Sequence, residues 1–143
     1  NPEFPSIPKD LSTRPHRYTY TVASRKDAST SATGMKPLWG ASSALTKIDA
    51  ETPGKYEIYA FDADEFLGEP MVVRKKNASN AEDSCYIMTT VSKVSTQTTD
   101  IVILDAEGPG KLEEGPVCRI RLPEMMVNGC LHGDFYEGIK IHS

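Results

Sequence analysis

The chain has 143 residues, of which 38% are hydrophobic and 25% charged, and it carries a formal net charge of −4. That length suits one domain or a piece of a larger one. The acidic balance argues against a nucleic-acid partner, and no apolar run approaches the length of a membrane span. No signal-peptide pattern occurs, and the chain opens on Asn1 rather than Met. It is therefore expected to begin inside a longer gene product.

Taken in order, the predicted elements are almost all β. The opening NPEFPSIPKDLSTRP holds four of the ten prolines and reads as an extended segment crossing a surface or core edge, outside any ladder. Period-two alternation then predicts strands at 17–23, 43–49, 56–62, 69–75, 85–94, 99–105 and 116–122, with a last one over 130–137. The segment 24–40 is long, polar and rich in small residues, and 106–115 is a charged, turn-rich connector. No helical spacing is sustained over three turns. An internal echo joins LTKIDAETPGKYEIYAF to IVILDAEGPGKLEEGPVCRIRL. Each has an apolar strand ending in Asp-Ala-Glu, a Pro/Gly turn with Gly-Lys, and another alternating strand. Short strands with frequent turns suit a sandwich, a barrel or part of a propeller, and the echo favours repeated blades.

Cys85, Cys118 and Cys130 are an odd number at wide spacing, without a CxxC pair. They suggest neither a zinc knuckle nor a disulfide framework. Cys118, in an alternating strand, is expected to be a small buried thiol. A reducing, intracellular compartment (cytoplasm or plastid) is the mild inference, and the sequon Asn77-Ala78-Ser79 would matter only in a secreted chain.

Few residues can carry chemistry. There is no HExxH, no EF-hand and no Gly-rich phosphate loop. His16 is expected to be solvated and His142 to lie in a frayed end. His132, in GCLHGDF, is either a packing residue or one ligand of a site whose other members lie elsewhere. Its neighbours Gly129 and Gly133 would let a backbone or ligand come close. Glu3, in PEFP, and Glu69, in LGEPMVV, are either solvated or hydrogen-bonded to a ligating imidazole. Spacing alone leaves both readings open.

The ordered series PEFPSI, HRYTYTVAS, LTKID, GEPMVVRK, AEDS, IVILDAE, PVCRIRLP and NGCLHGDF resembles the C-terminal part of the carotenoid cleavage oxygenase family. That family includes carotenoid and apocarotenoid dioxygenases, lignostilbene dioxygenases and the retinoid isomerohydrolase. The resemblance covers nearly the whole chain. It implies an all-β fold in which residues 1–143 form the C-terminal part, about two blades, of a seven-bladed β-propeller. It implies Fe(II) held on the propeller axis by four histidines, with carboxylates behind three of them. His132 takes the position of the last iron ligand, and Glu3 and Glu69 take the positions of two of the supporting glutamates. The other three histidines would come from the N-terminal remainder.

By the same resemblance, the parent protein would cleave a conjugated carbon–carbon double bond of a carotenoid, apocarotenoid or stilbene with molecular oxygen. The 143-residue piece alone is expected to be inactive. The partners implied are oxygen, an apolar conjugated substrate and the propeller remainder, with peripheral membrane contact through that remainder. Two alternatives are a non-catalytic propeller segment serving as an interaction module and a retinoid-type isomerase on the same fold. The chain departs from the family pattern in three places. Leu131 stands where an aromatic residue usually precedes the ligand, Glu82-Asp83-Ser84-Cys85 replaces a Glu-Asp-Asp-Gly turn, and the 24–40 loop is long. Phe4, Leu131 and Phe135 are read as core residues, with cavity lining as the alternative.

Overall fold

The computed structural model describes residues 2–24, 42–123, 133–136 and 138. The strands are β1 (Pro2–Ser6), β2 (Tyr18–Ser24), β3 (Ser42–Asp49), β4 (Tyr56–Ala60), β5 (Glu65–Leu67), β6 (Met71–Arg74), β7 (Cys85–Lys93), β8 (Thr98–Asp105) and β9 (Pro116–Leu122). They form two antiparallel sheets, β1-β2-β3-β4 and β5/β6-β7-β8-β9. In the second sheet β5 and β6 share one edge of β7, with Glu65 opposite Lys93 and Met71 opposite Met88. Each sheet is thus four strand positions wide, one of them split.

The strands predicted over 17–23, 43–49, 56–62, 85–94, 99–105 and 116–122 are present, with small changes at their ends. Three readings are corrected. The proline-rich opening does join a ladder, since β1 pairs with β2 through Pro2–Ala23, Glu3–Val22 and Ser6–Tyr20. It can do so because it is an edge strand, where a missing N–H faces outward, and because its register shifts between Glu3 and Ser6. The strand predicted over 69–75 is shorter, because Pro70 has no amide to donate and Gly68–Pro70 separates β5 from β6. Gly68 instead caps the break, its N–H donating to the Thr90 carbonyl (2.9 Å) and its carbonyl accepting from Thr89 Oγ1 (2.9 Å). Finally, of the strand predicted over 130–137, residues 133–136 are not in a strand, and 130–132 and 137 lie outside the described residues.

Alternation decides which face of each sheet turns inward. Tyr20, Val22, Leu45 and Phe61 from the first sheet meet Cys85, Ile87, Val91, Val102 and Leu104 from the second, with Leu112 of the connector closing one side. Each such aliphatic or Phe side chain contributes about 1.5–3 kcal/mol when fully buried. Cys118 corrects the expectation of a buried thiol. It is exposed, because β9 is the edge strand of its sheet and the described residues place nothing over it; Cys85 is the buried thiol. Burial pushes the Cys85 thiol up to about 11, and its Sγ lies 3.3 Å from the Tyr20 hydroxyl.

One cation crosses this core. Lys47 of β3 is 2% exposed, and its Nζ donates to Asp83 Oδ2 (2.8 Å), the Ala106 carbonyl (2.8 Å) and the Gly108 carbonyl (3.3 Å). All three acceptors belong to the ends of the second sheet, so the three ammonium protons are spent across the interface. Glu82, beside Asp83, accepts the backbone amides of Arg17 (2.7 Å) and Tyr18 (2.7 Å) at the start of β2. The Glu82–Cys85 turn is therefore a cross-sheet tie. It manages without the glycine of a Glu-Asp-Asp-Gly turn, since neither Ser84 nor Cys85 has positive φ and Cys85 opens β7.

The internal echo is a repeated corner. Asp49 at the end of β3 accepts the Glu51 amide (3.1 Å), and Asp105 at the end of β8 accepts the Glu107 amide (2.9 Å). A cation closes each corner: Arg17, just before β2, grips Asp49 through Nε and Nη2 (2.9 and 2.8 Å), and Lys75, just after β6, reaches Asp105 and Glu107 (both 2.9 Å). The echo diverges after the corner. The first turn leads directly into β4, whereas the second carries a 3-10 turn at Leu112–Glu114 that lies along β4, with Glu113 Oε1 accepting the Ile58 amide (3.4 Å). There Gly115 adopts φ +88, and a Cβ on it would sit 2.7 Å from Tyr59 Cε2, so the close approach needs glycine.

Two predictions follow from these ties. Asp83→Ala removes the nearer anion of the buried Lys47 ammonium, leaving it only Glu57 Oε1 at 3.5 Å, and should lower unfolding free energy by about 3 kcal/mol, the low end for breaking a buried pair. In urea titrations Lys47→Met combined with Asp83→Leu should cost less than the two single changes summed; additive losses would show that the pair is uncoupled. The second concerns pH. Arg17 holds Asp49 at about 2 from an ordinary 3.8, and Lys75, then Ser79, hold Glu107 at about 2 from 4.5. Depressed carboxyls favour the fold above their ordinary values and lose that contribution as pH falls toward 2. The unfolding midpoint should thus be flat from pH 7 to about 5 and fall below about 4, and Arg17→Met should make that fall shallower.

Candidate functional site

The break between β5 and β6 has a consequence beyond the ladder. Glu69 sits in that gap, flanked by the bonded Gly68 and the buried Pro70, so its side chain leaves the sheet from a fixed backbone. Its Oε2 accepts the backbone N–H of Gly133 at 3.3 Å. Gly133 is the residue that follows His132 in the chain. The two meet at a small cavity of about 110 Å³, lined by Ser6, Ile7, Lys9, Met71, Asp134 and Phe135 among others. A Cβ on Gly133 would fall 3.1 Å from the Met71 sulfur, so the glycine permits this approach, as its place beside the histidine suggested.

The other side of the cavity comes from the first sheet. Pro8 is fully buried and opens a 3-10 turn at Lys9–Leu11, closed by the Leu11 amide on the Pro8 carbonyl (2.9 Å). From that turn Lys9 Nζ reaches Asp134 Oδ1 (2.5 Å) and the Phe135 carbonyl (3.1 Å), and lies 4.4 Å from the centre of the Tyr136 ring. The Lys9 ammonium, and then the Tyr136 hydroxyl, hold the Asp134 carboxyl below its ordinary value.

His132 itself lies outside the described residues, as do Leu131, Cys130 and His142. Glu3 is exposed on β1, opposite Val22, and does not line this cavity. Its neighbour Phe4 packs against the core and carries φ +52, an unusual backbone for a bulky residue, within the span where the register of β1 shifts. His16 is exposed, as expected, with ring nitrogens 3.3 Å from the Arg14 carbonyl and from Thr19 Oγ1. Among the described residues no three His, Cys, Asp or Glu side chains converge where they could hold a metal ion. The part of an iron site that they can supply is a supporting carboxylate. Glu69 fits that task, being partly buried, anchored on both sides and hydrogen-bonded one residue from His132.

A larger cavity, about 210 Å³, is lined by Arg17, Tyr18, Lys47, Asp49, Lys55, Tyr56, Glu57 and Pro109. Its two inner cations are already committed, Arg17 to Asp49 and Lys47 to Asp83, so it is the end of the sheet interface. Lys9 and Asp134 were not legible as site residues beforehand. Asp134 carried no signal of its own beside His132, and nothing in a proline-rich opening points a lysine at residues so far along the chain.

Residues 1–137 match the family model described as retinal pigment epithelial membrane protein (RPE65). The chain belongs to this family, the carotenoid oxygenases. Among solved structures it is similar to an ACO/RPE65 chimera, at 27% identity and TM-score 0.72, over 93% of this chain and 25% of that one. A point variant of the Synechocystis apocarotenoid oxygenase matches at 27% identity and TM-score 0.71, over 92% of this chain and 24% of the other. Pseudomonas brassicacearum lignostilbene dioxygenase matches at 18% identity and TM-score 0.83, over 96% and 27%, a likeness of fold alone. The chain spans about a quarter of the length of these structures. No curated protein matches it. Among the described residues no helix is long and apolar enough to cross a membrane.

Proposed function

We propose that the complete protein is an iron(II)-dependent oxygenase that cleaves a conjugated C=C bond of a carotenoid, apocarotenoid or stilbene into two carbonyl products. This chain would contribute the C-terminal part, about two blades, of a seven-bladed propeller. The observation that carries the reading is the Glu69 carboxylate, hydrogen-bonded to the amide next to His132. The family membership and the neighbour named apocarotenoid oxygenase support it.

In this reading His132 is a direct ligand. Glu69 and Glu3 orient ligating imidazoles, which fixes their tautomers and raises their basicity. When bound, iron would supply the redox chemistry for using molecular oxygen, and His132 would be one of the neutral imidazoles that hold it. Met71, partly buried, would help to keep water from the cavity floor, whereas Phe135, expected to be a core residue, is 41% exposed. The remaining histidines come from the N-terminal remainder, which would cover the outer faces and edges that leave Val117 60% and Ile120 48% exposed. Any membrane contact for collecting an apolar substrate would also lie in that remainder. Taken alone, the 143-residue chain would be inactive.

A second reading, retinoid-type isomerisation, draws on the description of the matching family model. Products separate the two: cleavage with labelled oxygen gives labelled carbonyls, and isomerisation does not.

In the complete protein, His132→Ala should abolish iron retention and turnover, as measured by metal analysis and product formation. Glu69→Gln and Glu3→Gln should weaken iron binding on the order of 10–100-fold. Normal iron content in His132→Ala would remove that residue from the site. A wild-type protein that takes up no iron would instead be an interaction module.

A further inference from the structure

Four consecutive residues after His132 are held from two sides. Glu69, anchored in the second sheet, takes the amide of Gly133. Lys9, anchored in the first, takes the carboxylate of Asp134, the carbonyl of Phe135 and the ring face of Tyr136. We infer that Lys9 is a positioning residue for the last iron ligand, acting by clasping residues 134–136, the segment that follows His132. The inference rests on the proposed iron site and extends it to a residue that does not touch the metal.

The argument is one of convergence. A single exposed ion pair contributes little, and Lys9 and Asp134 are 60% and 42% exposed. Here one ammonium meets three different acceptor types on residues 134, 135 and 136. Its own backbone is set beforehand by the buried Pro8 and the 3-10 turn, so the ordering cost is confined to the Lys9 side chain and is shared by three contacts. The opposing anchor is equally stiff, since Gly68 is bonded through both N–H and C=O and Pro70 restricts the next torsion. Residue 133 turns toward an anion and residues 134–136 toward a cation, so sliding the segment along the seam would break both sets at once. A ligand must be held to within a fraction of an ångström, and a stretch that includes neither strand nor helix needs such outside support.

The test uses the complete, iron-loaded protein and the variants Lys9→Met, Lys9→Arg and His132→Ala. Three quantities are read: iron release to a competing chelator, amide hydrogen exchange over 133–136, and the global urea midpoint. Lys9→Met should speed iron release on the order of 10-fold, the lower end of the effect of removing a supporting residue. It should also speed exchange over 133–136 and leave the urea midpoint unchanged. Lys9→Arg, which keeps the charge and the donors, should recover most of the loss. Wild-type iron release in Lys9→Met would overturn the inference. So would unchanged exchange over 133–136, or a loss that Lys9→Arg does not recover and that tracks a lower urea midpoint. Iron retained in His132→Ala would overturn the underlying site itself; iron lost there but held normally in Lys9→Met would overturn the role of Lys9 alone.

Discussion

A buried lysine that must find three acceptors constrains this molecule more than any apolar contact. Lys47 cannot leave the interface without breaking bonds to Asp83, Ala106 and Gly108, all of them on the facing sheet. Apolar side chains would tolerate a range of sheet offsets, because burial is indifferent to direction. The ammonium tolerates one, because an unpaired buried charge costs several kcal/mol. Glu82 repeats the constraint from the other partner by gripping the start of β2. The two sheets are thereby locked in register as well as packed.

The Asp-Ala-Glu corners show how a repeat in sequence becomes a repeat in structure without being copied in full. Both corners use an aspartate to receive the amide two residues on, and both recruit a cation that stands just outside a strand of the same sheet. The cations differ, Arg17 in one sheet and Lys75 in the other, and so do the turns that follow. Such corners stop each third strand at a defined place, which lets the connectors meet the facing sheet where Lys47 needs their carbonyls.

The candidate site depends on an interruption. A continuous edge strand from Glu65 to Arg74 would commit Glu69 to the alternation of a ladder. Pro70 prevents it, and the split lets the Glu69 carboxylate reach the Gly133 amide. Local irregularity at β1 accompanies it, with Phe4 at positive φ beside Glu3. Glu69 therefore stands in a break in strand regularity, where backbone geometry and not the pleat aims its side chain, whereas Glu3 keeps its ladder place opposite Val22, just before the register of β1 shifts.

Most strands were legible from alternation, because period two is a local property that burial of one face imposes on every inward strand. Glu69 and Glu3 were marked as candidates by position in a family pattern, and the proline beside each gave a physical reason to look. The sequence alone misjudged the proline-rich opening and Cys118, since whether a strand lies at an edge depends on what packs beside it. It also could not show that Lys47 crosses the core or that Lys9 meets Asp134, pairs separated by 36 and 125 positions (83 − 47 and 134 − 9). Alternation, turns and the repeat are set by neighbours along the chain, and the sequence by itself determined them. The partners of its charges are set by which ends of two sheets come together, and only the tertiary structure decided those.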